Sequence, residues 1–97
     1  MTPTEAAFAY KCGADIVKMF PAGLLGVDYI RALKAPLKHI PLSAVGNVTV
    51  ENCAQFLEAG AVGIGVSGNL VSKKLVEEGR FDEITATAKA YVAALNR

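Results

Sequence analysis

The chain has 97 residues, 53% of them apolar and 20% charged, with a net charge of +1. That apolar share lies outside the disordered range, and the length holds one core, either a single domain or part of a larger one. With no basic stripe and no Trp, nothing in the composition suits nucleic acid or a membrane surface.

The longest uncharged run, Ala59 to Ser72, is broken by four glycines and Asn69, and falls short of the ~18 to 20 apolar residues of a membrane span. Cys12 and Cys53 fall in apolar helical patterns without CxxC spacing, so both are expected as reduced core thiols in a cytoplasmic protein. The opening MTPTEAAF has neither the basic start nor the apolar run of an export signal.

In chain order, Thr2-Pro3-Thr4-Glu5 reads as a helix start, with Thr2 as N-cap and Glu5 completing a capping box. The helix runs through Ala6 to Cys12 and stops at Gly13. Asp15 to Phe20 is expected as a strand with Ile16, Val17, Met19 and Phe20 buried, closed by Pro21 and a loop through Gly26. Asp28 to Leu37 is helical, with Tyr29, Ile30, Leu33 and Leu37 on one face.

Ile40 to Val45 reads as a second strand, ending in a Gly46-Asn47 turn. Thr49 then caps a helix whose apolar face is Val50, Cys53, Phe56 and Leu57, stopped by Gly60. Ala61 to Val66 is a third strand, Ser67-Gly68-Asn69 a turn, and Leu70 to Glu78 a short helix. Phe81 to Leu95 is a long helix, expected to turn Phe81, Ile84, Ala88, Tyr91, Val92 and Leu95 inward. Gly13-Ala14 and Gly60-Ala61 echo one another at two helix-to-strand joins.

Three strands alternating with four to five helices imply an α/β fold of parallel βαβ units, in one unit over residues 1–97. Three parallel strands do not close a barrel. They form a small open sheet or one sector of a barrel.

In such folds the chemistry lies at the carboxyl ends of the strands. Period-two alternation puts Ile16, Lys18 and Phe20 on one face and Val17 and Met19 on the other. An ammonium within a strand is either reaching for water or is an amine placed to attack a carbonyl. The other two strand ends carry Gly46, Asn47, Ser67, Gly68 and Asn69, and each precedes a helix, so backbone N–H groups can face an anion there. His39 and Asp15 fall at the opposite pole as surface groups, and no metal-ligand cluster or cofactor motif is present.

TPTEAAFAYKCGADIVKMFPAG, DYIRALKAPLKHIPL, FLEAGAVGIGVSGNLV and FDEITATAKAYV together resemble the C-terminal part of 2-keto-3-deoxy-6-phosphogluconate and 4-hydroxy-2-oxoglutarate aldolases. The resemblance implies a portion of a (β/α)8 TIM barrel, from the helix after its fifth strand onward. It also implies a homotrimeric class I lyase of Entner–Doudoroff-type carbohydrate metabolism, with pyruvate and a 2-keto acid as partners and no cofactor.

The family's Schiff-base lysine matches Lys18. Phe20 and Pro21 then wall the imine, and phosphate falls to Gly46, Asn47, Ser67, Gly68 and Asn69. Two loops depart from the family's pattern. Ala44-Val45-Gly46-Asn47 stands where PTGG is common, and Val66-Ser67-Gly68-Asn69 where GGSW is common. The family's acid–base glutamate and carboxylate-binding arginine have no counterpart in this sequence. The rival expectations are an anion-binding module without cleavage and a self-associating partial barrel.

Overall fold

The computed structural model describes residues 2–96. Three short strands, β1 (Val17–Met19), β2 (Leu42–Val45) and β3 (Gly63–Gly65), form one parallel sheet in the order β1-β2-β3. Lys18 pairs with Ser43, and Ser43 in turn with Gly63. The expected α/β architecture of parallel units is thus present, with each strand shorter than its apolar run.

Six helices accompany the strands among the described residues: α1 (Pro3–Lys11), α2 (Ala22–Leu25), α3 (Val27–Lys34), α4 (Cys53–Glu58), α5 (Lys73–Glu77) and α6 (Phe81–Leu95). The count exceeds the expected four to five because the stretch after Pro21, expected as a loop, closes one helical turn. There Leu25 and Gly26 donate to the carbonyls of Pro21 and Ala22.

The first helix begins as its sequence requires. Thr2 Oγ1 accepts from the Glu5 N–H at 3.2 Å, and Glu5 Oε1 accepts from the Thr2 N–H at 2.9 Å. The Gly-Ala echo is cap chemistry. Gly13 donates to the Tyr10 carbonyl and Ala14 to that of Ala9; Gly60 donates to Leu57 and Ala61 to Phe56. Both are the paired bonds of a Schellman cap, with glycine at φ +102° and +119°. Thr49 caps one turn earlier than regular helix begins: Thr49 and Asn52 exchange side-chain-to-backbone bonds, and α4 follows from Cys53.

The core lies on one side of the sheet. Val17, Met19, Leu42 and Ala44 project there and meet Ile30 and Leu33 of α3, Cys53 and Phe56 of α4, and Tyr91 of α6 in one cluster. Alternation then places Lys18, Phe20, Ser43 and Val45 on the opposite side. No layer of helices covers that side. Ile16 and Phe20 are each 56% exposed there, which corrects the expectation that both are buried.

Two other expectations are corrected. Cys12 is exposed at the end of α1, whereas Cys53 is buried and its thiol faces the Val50 carbonyl at 3.4 Å. On α6, Tyr91 is buried at 4% exposure, with Ala94 and Leu95 packed beside it, but Phe81 and Val92 are 58% and 57% exposed. The helix carries two apolar stripes and packs chiefly on α4 and α5, with Tyr91 entering the core, so Phe81 and Val92 on the other stripe are left exposed.

Burial raises the Tyr91 hydroxyl above its ordinary value, and Cys53 and Glu51 act in the same direction. A hydroxyl with a raised folded pKa holds its proton more tightly in the fold. Its contribution is therefore intact below the unfolded value of about 10 and is lost as pH climbs through the folded one. Thermal unfolding followed by circular dichroism should show the midpoint falling more steeply above about pH 10 in the native chain than in Tyr91→Phe.

Candidate active site

Lys18 is the middle residue of β1, between the buried Val17 and Met19, and its own side chain is exposed on the open face. Its Nζ stands 5.8 Å from the centroid of the Phe20 ring, within cation–π range. Among the described residues no carboxylate lies within ion-pair distance of it. The lysine is an accessible amine on an otherwise apolar strand.

Beyond Phe20 the strand ends enclose a cavity of about 250 Å³. Phe20, Gly46, Asn47, Ser67, Gly68 and Asn69 all line it, together with Val45, Val48, Gly65 and Val66. Every residue expected to hold an anion is thus gathered in one place, although the two loops are some twenty residues apart in sequence. Lys18 and Pro21 are not among the lining residues. Lys18 reaches the cavity's edge through Phe20, and Pro21 follows that ring through a cis peptide bond.

The loop after β2 is built to offer N–H groups. Gly46 O accepts from the Gly23 N–H at 2.7 Å, Asn47 O faces Asn52 Nδ2 at 3.5 Å, and Val48 O accepts from both Tyr91 Oη and Asn69 Nδ2. Three successive carbonyls are therefore turned into the protein. In a trans peptide the N–H points opposite to the C=O, so the Asn47 N–H is directed away from Gly23 of α2. Among the described residues neither Asn47 nor Ser67 nor Gly68 donates its N–H to a backbone carbonyl.

Gly46 and Asn47 lie at φ +99° and +54°, consecutive left-handed positions of the kind that make anion-binding concavities. Among the described residues no Lys, Arg or His lines the cavity, and the groups they offer an anion there are dipoles. No group of three or more His, Cys, Asp or Glu side chains gathers among the described residues to hold a metal. Tyr10 and His39 meet edge to face at 5.4 Å, and both line a surface hollow with Asp15 and Pro41, apart from the strand-end cavity.

A family model described as KDPG and KHG aldolase matches residues 1–87. The chain belongs to this aldolase family. It is 41% identical over 95 residues to 2-dehydro-3-deoxy-6-phosphogalactonate aldolase of Escherichia coli K12, covering 97% of this chain and 46% of that protein.

Among solved structures, one titled as native KDPGal superposes with a TM-score of 0.81 at 40% identity, over 99% of this chain and 47% of that one. A second, a cube-shaped cage designed by fusing symmetric oligomeric domains, also reaches 0.81 at 41% identity, over 96% of this chain and 33% of that one. The likeness places the three-stranded sheet within a TIM-barrel fold, as a sector of it. The chain spans about half the length of the curated aldolase it matches.

The clasp on Val48 was not legible in the sequence. Tyr91 reads there as an inward apolar residue. The one available signal is that a buried tyrosine hydroxyl needs a partner, and nothing local says that the partner lies 43 residues upstream.

Gly46 has the strictest steric demand in the site. A Cβ there would stand 2.8 Å from two carbons of the Phe20 ring and 3.1 Å from Pro21 Cα, at a φ that L side chains avoid. Gly46→Ala should cost at least about 1–2 kcal/mol from backbone strain and push the Phe20 ring into the cavity. Urea unfolding and titration with inorganic phosphate would show both losses together.

Proposed function

We propose that this chain carries the nucleophile and the anion end of a class I aldolase acting on a 2-keto-3-deoxy-6-phospho sugar acid, with Lys18 as the Schiff-base residue. The observation that carries the reading is the pairing of an accessible strand amine with a dipole-lined strand-end cavity, joined by the Phe20 ring. The similar Escherichia coli protein is named for a 6-phosphogalactonate substrate, and that chemistry suits both ends.

In this reading the unprotonated amine of Lys18 attacks the C2 ketone and loses water to give an iminium. The iminium draws the C3–C4 bonding pair into an enamine of pyruvate as the C4 hydroxyl gives its proton to a base and leaves as an aldehyde. Protonation at C3 and hydrolysis then release pyruvate and regenerate the amine. Phe20 and Pro21 wall the imine. The N–H groups around Gly46, Asn47, Ser67, Gly68 and Asn69 hold the phosphate, with 4-hydroxy-2-oxoglutarate as the substrate lacking that group.

Among the described residues no carboxylate stands within ion-pair distance of Lys18 to serve as the base. Since a positioned acid–base group contributes about 10²- to 10⁴-fold, the 97-residue chain should form the imine more readily than it cleaves. Borohydride reduction in the presence of pyruvate, followed by peptide mass spectrometry, is expected to place one adduct on Lys18. Lys18→Ala should abolish it while shifting stability by no more than about 0.5 kcal/mol, because the side chain is exposed. Labelling scattered over the other lysines would sink the assignment.

A second reading, a partial barrel that associates with copies of itself as in the expected trimer, is favoured by a stripe on α6 in which Phe81 and Val92 are exposed and Ile84 and Ala88 half-buried. Sedimentation equilibrium is expected to show a mass that rises with concentration. A constant monomer mass would leave the first reading alone.

A further inference from the structure

The anion end of the proposed site is tied to a residue far from it in sequence. Tyr91 Oη donates to the Val48 carbonyl at 2.8 Å, and Asn69 Nδ2 donates to the same oxygen at 3.2 Å. Val48 and Tyr91 are both buried, so the tyrosine's bond is not traded freely for water. On the far side of that peptide unit, the Thr49 N–H donates to Asn52 Oδ1 at 2.7 Å. The peptide plane between Val48 and Thr49 is thereby held at both ends, directly after the two left-handed residues that line the cavity.

Asn69 itself lines the cavity and belongs to the loop after β3. The Val48 carbonyl is therefore the point where the loop after β2, the loop after β3 and helix α6 meet. Removing the tyrosine donor leaves the oxygen partnered by Asn69, so the fold survives, but it takes away the tie to α6 that fixes where the loop ends. The N–H opposed to this carbonyl is that of Thr49; the N–H groups of Asn47 and Val48 belong to the two peptide units before it, so a shift of Val48 reaches them through the backbone of this short loop.

Resting on the aldolase reading above, we infer that Tyr91 is a positioning residue for the anion subsite. Through the Val48 carbonyl it fixes the end of the loop whose N–H groups receive the substrate's phosphate. It touches neither the phosphate nor Lys18. Burial also keeps the hydroxyl protonated, and so a donor, across neutral and mildly alkaline pH.

The test titrates inorganic phosphate into ¹⁵N-labelled protein and follows the amides of Asn47, Val48 and Gly68, in the native chain, Tyr91→Phe and Leu95→Ala. Leu95→Ala loosens the packing of α6 but leaves the hydroxyl in place. The native chain should show saturable shifts. Tyr91→Phe should raise the apparent Kd roughly threefold to tenfold, the size of one lost hydrogen bond, while Leu95→Ala stays within about twofold.

Pyruvate trapping at Lys18 should keep its concentration dependence in Tyr91→Phe, because imine formation does not draw on the loop. An unchanged Kd in folded Tyr91→Phe would overturn the inference, as would equal losses in both variants or a Tyr91→Phe chain that does not fold. Absence of phosphate shifts in the native chain removes the anion end of the aldolase reading instead, and failure of trapping removes its nucleophile. The three failures are separable.

Discussion

Alternation along β1 is the constraint on which the rest of the molecule depends. Burying Val17 and Met19 against the helices leaves Lys18 no choice of side. Parallel pairing propagates that choice, so Ser43 and Gly63 share the row of Lys18. A one-residue slip of register would send the ammonium into the core and Met19 into water. The desolvation cost of a buried, unpaired ammonium forbids that arrangement. The accessible amine therefore follows from the apolar residues on either side of it.

The strand ends add a second layer of order that does not depend on hydrophobic burial. Gly23 packs so closely on Asn47 that a Cβ there would stand 2.4 Å from the Asn47 carbonyl oxygen, and its N–H takes the Gly46 carbonyl. Each carbonyl of the Gly46–Val48 loop is used within the protein. A loop with free carbonyls would offer acceptors to a ligand and repel an anion; this one presents donors. The dipolar character of the cavity thus comes from where the carbonyls go.

Much of this was legible in the sequence, for identifiable reasons. The Thr2–Glu5 box, the glycine stops and the span of α6 rest on local chemistry, and the structure keeps them. The depth of burial was less legible. Ile16, Phe20, Phe81 and Val92 are apolar residues whose periodicity says only that they share a face, and periodicity cannot say whether anything covers that face. The gathering of Gly46, Asn47, Ser67, Gly68 and Asn69 around one cavity followed from parallel topology alone. The Val48 clasp did not, because a side chain meeting a backbone oxygen at long range leaves no local pattern.

The two ends of the candidate site consequently differ in what they need. Lys18 requires the pairing of β1 with β2 and the core that buries its strand neighbours. The proposed anion end draws on α6 as well, since the Val48 carbonyl is held by Tyr91, 43 residues downstream. On that reading, losing the Tyr91 hydroxyl, rather than loosening α6 as a whole, would weaken the phosphate end while leaving an amine that still meets a ketone. In the proposed aldolase, imine formation is accordingly the more robust property of this sector, and selection for a phosphorylated substrate the more fragile one, because it depends on a clasp between the two ends of the sector.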